Sequence, residues 1–136
     1  MSDAPAPDLD ALLAAMPFSA ASGVELTSAN AQEVIGRVAW TPERCTTGGI
    51  MHGGVLMTLA DSVGALCAFL NLPAGASTST IESKTNFLRA VRDGYVEGVA
   101  RPLHVGRTVI VVQTDLRAGD GRAVALVTQT QAVLAP

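Results

Sequence analysis

The sequence predicts an α+β fold in which an antiparallel sheet wraps around one long central helix. Three observations lead there. From Gly54 to about Asn71 the chain is apolar nearly all round, with Val55, Leu56, Leu59, Val63, Leu66 and Phe69 spread over every side of a helix. A helix of that kind is buried, not laid on a surface. About four strand-like segments then follow in succession, and the last two flank Gly119-Asp120-Gly121, a strong hairpin signal.

The elements read in order as follows. Residues 1–7, rich in Ala and Pro, form a loose tail. Asp8 to Met16 is a short helix, with Asp8 as its N-cap and Pro17 stopping it. Glu33 to Trp40 alternates as a strand, with Val34, Val38 and Trp40 on one face and Arg37 on the other. Thr41-Pro42-Glu43-Arg44 is a turn, and Cys45 to Met51 reads as a flexible loop through Gly48 and Gly49. After the long helix, which Asn71, Pro73 and Gly75 end, strands run over Thr78–Leu88, Gly94–Leu103, Thr108–Leu116 and Ala123–Leu134. The whole of 1–136 is one domain.

Composition narrows the function. Of the 136 residues, 49% are hydrophobic and 15% charged, and the net charge is −3. Soluble domains usually carry about 25% charge, so disorder is excluded, and an acidic balance argues against nucleic acid as a partner. So few charges leave two explanations: the chain lies in a membrane, or it hides apolar surface against another copy of itself. The membrane reading fails on the 29 residues from Gly53 to Ile81, where Asp61 is the only ionisable side chain except for the thiol of Cys67. A span of about 20 residues there would bury that carboxylate at a cost of about 2.5–3.5 kcal/mol. The N-terminus lacks the basic region of a signal peptide, so a cytoplasmic location is expected. Cys45 and Cys67 have neither metal nor redox spacing, and no metal site is expected.

Two features carry chemistry. Asp61 stands inside an apolar helix, where an unpaired carboxylate is costly. It is either a structural residue bonded to Ser62, Thr58 or the backbone, or a poorly solvated carboxylate with a raised pKa, suited to nucleophilic or general-base work. His52-Gly53-Gly54 opens the same helix. Two glycines there are either a simple turn or a place where free first-turn N–H groups stabilise a developing oxyanion. Asp61 lies eight residues beyond Gly53, about 12 Å along the helix at about 1.5 Å per residue. A carboxylate cannot attack a carbonyl held at its own helix start from there. Two antiparallel copies of the helix about a two-fold axis would set Asp61 of one beside Gly53 of the other, which predicts a homodimer with two shared sites.

The run His52-Gly53-Gly54-Val55-Leu56-Met57-Thr58-Leu59-Ala60-Asp61 resembles the signature of hotdog-fold acyl-CoA thioesterases. The similarity is to their phenylacetic-acid-degradation and 4-hydroxybenzoyl-CoA thioesterase branch. It extends through TNFLRAVRDGYVEGVARPLHVGRTVIVVQTDL and the closing GRAVALVTQTQAVL, covering roughly Gly23 to Leu134. The resemblance implies a hotdog fold, a homodimer and usually a dimer of dimers (homotetramer). It implies hydrolysis of acyl- or aroyl-CoA with no cofactor, CoA being part of the substrate.

Carried over by position, Asp61 is the catalytic carboxylate, Gly53 N–H polarises the thioester carbonyl, and His52 helps to hold the site. Gly54 is a substrate-binding candidate. Thr46 stands where relatives place Gln or Asn. Either its hydroxyl takes over part of that role or the role is lost. Ala65 stands where some relatives carry Ser or Thr to orient water. Arg89 matches a position that contacts the CoA nucleotide, and Asn86, Arg92 and the turn Gly106-Arg107-Thr108 are further substrate-binding candidates. The arginines are equally ordinary as surface residues. Met51, Val55, Met57, Leu59, Leu66 and Phe69 line either an acyl pocket or the core. Two rivals are a hotdog hydratase or dehydratase, which needs a paired Asp/His or Glu/His, and a non-catalytic acyl-CoA binder.

Overall fold

A computed structural model describes residues 5–136; of the tail expected over 1–7, residues 1–4 lie outside the described residues, and Pro5–Pro7 have no regular structure. The Asp8 carboxylate accepts from the N–H groups of Asp10 at 3.0 Å and Ala11 at 3.3 Å, and so caps helix α1 (Leu9–Ala14). Pro17 does not simply stop that helix. It occupies the first turn of a second one, α2 (Pro17–Ala21), where its missing N–H would have no partner anyway. Strand β1 (Glu25–Ala29) was not expected. It pairs with β2 (Val34–Ala39), whose buried residues Val34, Gly36 and Val38 alternate with more exposed ones. Trp40 falls just past β2, half-buried, and its indole N–H donates to the Gly49 carbonyl at 3.0 Å.

The segment read as turn and flexible loop holds two short 3₁₀ turns, Pro42–Arg44 and Thr47–Gly49. Long helix α3 (Gly53–Phe69) follows, two residues shorter at its C-terminal end than the pattern suggested. Asn71 finishes it by donating from Nδ2 to the Cys67 and Ala31 carbonyls at 2.8 and 2.7 Å, which ties the helix end to the β1–β2 turn. Strands β3 (Ser77–Phe87), β4 (Tyr95–Val105), β5 (Val109–Ala118) and β6 (Ala123–Leu134) complete the chain. The described residues form a six-stranded antiparallel sheet in the order β1-β2-β4-β5-β6-β3. The Gly119–Gly121 hairpin joins β5 to β6 as expected, with Gly121 at φ 87°.

α3 packs across the sheet, touching β2 through β6. Leu59, Val63 and Cys67 are fully buried against Val34, Val38, Val96, Ile110, Val112 and Leu116. Each large aliphatic side chain so buried contributes about 1.5–3 kcal/mol. Gly36 lets helix and sheet approach closely, since a Cβ there would meet Val63 Cγ1 at 2.8 Å. No helix among the described residues is long and apolar enough to cross a membrane.

Candidate active site

The helix expected to be buried all round is not. One stripe of α3 stays open: Met57 is 44% and Phe69 51% exposed, and Asp61 lies exposed between them. Spacings of four residues from Met57 to Asp61 and eight from Asp61 to Phe69 put the three on one side of the helix. Around Asp61, a cavity of about 250 Å³ is lined by Phe18 and Ser19 of α2, Met57, Thr58 and Ser62 of α3, and Ser83 of β3. Ser19 and Ser62 hydroxyls meet at 2.6 Å, fastening α2 to α3. Although solvent reaches Asp61, partial burial pushes its pKa above the ordinary carboxylate value, while Thr80 and Gln129 pull it part of the way back. No charged group figures among those causes.

The helix start lies in a different cavity, of about 430 Å³, which brings together Thr46, Met51, Gly53 and Arg89 with Phe87 and Leu88. His52 is the N-cap: its Nδ1 accepts from Gly54 N–H at 2.8 Å. That bond leaves the ring proton on Nε2 and uses the Gly54 donor. Gly53 N–H has no acceptor among the described residues, and Gly53 itself lines the cavity. A side chain at Gly53 would crowd the Phe87 ring, 3.2 Å from the Cβ position. The loop before the helix is held from below, because His52 N–H donates to the Arg44 carbonyl and Met51 N–H to that of Val91, both at 2.8 Å.

The other predicted site residues fall into separate places. Ala65 lines an apolar cavity of about 240 Å³ with Leu12, Met16, Leu66 and Phe69, one turn beyond Asp61. Arg92 is engaged structurally, donating from Nη1 to the Gly48 carbonyl at 3.2 Å. Asn86 lies opposite exposed Leu126 of β6, on the sheet face turned away from α3. Gly106, Arg107 and Thr108 form the β4–β5 turn at the far end of the sheet. β5 leaves that turn beside Ala132 and reaches Ala125 only at Leu116, seven residues or roughly 23 Å later at about 3.3 Å per residue. Within one chain this turn and Arg89 do not share a site. Leu59 and Leu66 are core, whereas Met57 and Phe69 are exposed.

Sequence reading missed Phe18, Ser19, Thr80, Ser83 and Gln129 around the carboxylate. Gln129 and Gln131 had a signal, since they continue the alternation of Val127 onto the buried face of β6. Among the described residues there is no cluster of three or more His, Cys, Asp or Glu that could hold a metal. Cys67 is buried, its thiol pushed up to about 11, and Cys45 is half-buried.

Residues 48–125 match the thioesterase superfamily. The chain belongs to that family. It is 33% identical over 86 residues to 1,4-dihydroxy-2-naphthoyl-CoA hydrolase of Escherichia coli, 63% of each chain. The fold matches a thioesterase of Pseudomonas aeruginosa with a TM-score of 0.88 at 27% identity, over 94% of both chains. It also matches a hypothetical thioesterase of Streptococcus pneumoniae solved with coenzyme A, with a TM-score of 0.80 at 26% identity, over 90% of this chain and 97% of that one. The first curated relative is matched over only 54% of its length. The hotdog architecture expected from the signature is therefore the one this chain has, and thioester hydrolysis is the chemistry its family supports.

Proposed function

We propose that this thioesterase hydrolyses acyl-CoA or aroyl-CoA at two equivalent sites shared between two copies of the chain. The observation that carries the reading is the division of labour along α3. A helix-start residue with a free N–H lines one cavity, and a carboxylate of raised pKa stands in another, about 12 Å further along. Neither half can act alone. β3 is an edge strand of 11 residues, exposed along most of its length. The apolar stripe of α3 lies open as well. Edges and patches of this kind are normally covered. A two-fold axis that pairs β3 with β3 of a second copy covers both, and it runs the two helices antiparallel. The same axis carries the Gly106–Thr108 turn of one copy toward the Arg89 end of the other, so that both arginines can reach CoA phosphates.

At such a site the thioester carbonyl accepts a hydrogen bond from Gly53 N–H, assisted by the positive end of the helix dipole. His52 keeps the first turn, and with it that donor, in place. Asp61 of the other copy acts ionised. It either adds to the carbonyl carbon itself or takes a proton from a water that does so. The oxyanion then collapses and the C–S bond breaks. CoA leaves as thiolate and is protonated. On the general-base route the acyl group is then already the acid; on the direct route it is left as an anhydride with the Asp61 carboxyl, which a water hydrolyses to the acid and free Asp61. His52 Nδ1 is already engaged by Gly54 N–H at 2.8 Å, which supports a role for this ring in holding the helix start rather than in the acid–base couple that a dehydratase needs.

The test is Asp61→Asn, assayed on a panel of acyl-CoAs. Turnover is expected to fall by about 100-fold or more while folding is kept. A folded variant with undiminished turnover would overturn the assignment. In a single turnover in labelled water, label carried in the carboxyl of Asp61 marks direct attack, with the anhydride hydrolysed at the Asp61 carbon.

A further inference from the structure

Gln129 is 1% exposed, and neither its Oε1 nor its Nε2 has a hydrogen-bond partner. Gln131, two residues along the same face of β6, has partners at both ends: its Nε2 donates to Thr80 Oγ1 at 2.8 Å, and its Oε1 accepts from Thr78 Oγ1 at 3.2 Å. A buried carboxamide with four unmet hydrogen-bonding positions calls for an explanation, because each unmet position costs stability. The surroundings of Gln129 supply one. Its amide lies against Gly64, where a Cβ would overlap the Gln129 oxygen. Gly64 is three residues beyond Asp61, on the adjoining part of the same helical face. Across the sheet Gln129 is in register with Ser83, which lines the cavity around Asp61. The missing side chain at Gly64 thus makes room for the oxygen of a buried amide one turn along the helix from the carboxylate.

We propose that Gln129 is a positioning residue for Asp61: with its oxygen seated at Gly64, its Nε2 donates to the carboxylate and holds it ionised and aimed. The proposal rests on Asp61 being the reactive carboxylate. In the free chain the two groups stand close enough for Gln129 to favour the charged form of Asp61, without a hydrogen bond of normal length. A small rotation of the exposed Asp61 side chain, once a second copy and substrate cover it, closes that gap.

No charge elsewhere competes for the role. α2 and β6 carry no titratable side chain, and α3 carries only Cys67 besides Asp61, with His52 as its cap. The ionisable residues on the strands packed against α3 are Arg37 on β2, Glu82 and Lys84 on β3, Tyr95, Glu97, Arg101 and His104 on β4, and Asp115 and Arg117 on β5. None of them contributes to the Asp61 shift.

Gln129→Met keeps the volume and shape of the side chain and removes its donor. Two readouts are compared between this variant and the parent: the carboxyl ¹³C titration of Asp61, assigned by its disappearance in Asp61→Asn, and the acid limb of kcat/KM against pH. Both midpoints are expected to move up by about one pH unit, while the melting temperature holds or rises. Gly64→Ala, which pushes the amide aside, is expected to move them the same way. A Gln129→Met protein that folds, with the Asp61 titration unmoved, would overturn the proposal whatever its activity. Full turnover in Asp61→Asn would instead remove the reading beneath it, so the two failures are told apart.

Discussion

Asp61 was conspicuous in the sequence because a carboxylate in an apolar helix is out of place, and that incongruity survives in the structure in altered form. The carboxylate is exposed in the single chain, yet desolvated enough for its pKa to be raised. The sign of that shift has a consequence for stability. A carboxylate whose pKa is higher folded than unfolded binds its proton more tightly in the folded state. Ionising it therefore costs stability. The cost is absent below the unfolded pKa, grows through the window between the two values, and is complete above the folded one. Melting curves of Asp61→Asn from about pH 4 to about pH 8 are expected to meet those of the parent at the acid end. At neutral pH they are expected to lie slightly above, the gain being small because solvent screens an exposed group. A variant less stable than the parent at neutral pH would mark the carboxylate as structural. Gln129 was less legible than Asp61. In a strand, Thr and Gln read as a solvent face unless the alternation is followed through from Val127, and only the packing of β6 under α3 shows which face is covered.

Among the elements, the strongly patterned ones were readable and the short ones were not. α3, β2 and the β5–β6 hairpin stand close to where periodicity and turn chemistry set them. β1 has five residues and too little alternation to be recognised. α2 was hidden because Pro17 signals a helix end and a helix start equally well. Pattern also cannot distinguish a helix face buried in its own core from one open to another chain, which is why periodicity alone makes α3 a helix buried on all sides. The start of α3 offers a clean substitution. Gly53 is the first helical residue, and His52 before it is extended at φ −62°, ψ 134°, a conformation suited to precede proline. Gly53→Pro thus removes the candidate oxyanion donor while respecting the helix, with the Phe87 ring shifting slightly to make room. Turnover is expected to fall by about 100-fold or more, with the helical circular dichroism retained. Unchanged turnover in the folded variant would exclude Gly53 N–H from the chemistry.

At the scale of the whole molecule, the chain carries 15% charged residues and leaves open an edge strand, β3, and a helix stripe with Met57, Asp61 and Phe69, both of which the proposed second copy would cover. Family resemblance made the fold and the two ends of α3 legible from the sequence. It did not make legible the distance of the Gly106–Thr108 turn from Arg89, because that separation depends on strand register. The central claim, a site assembled from Asp61 of one copy and Gly53 of another, is open to one decisive measurement. Asp61→Asn and Gly53→Pro proteins, each inactive alone, are unfolded together, refolded as a mixture and assayed. In a shared-site dimer, half of the random pairs regain one intact site of their two, so about a quarter of parental activity is expected. A mixture as inactive as its components, with mixed pairs shown to form, would place both residues in the same chain's site and contradict the account.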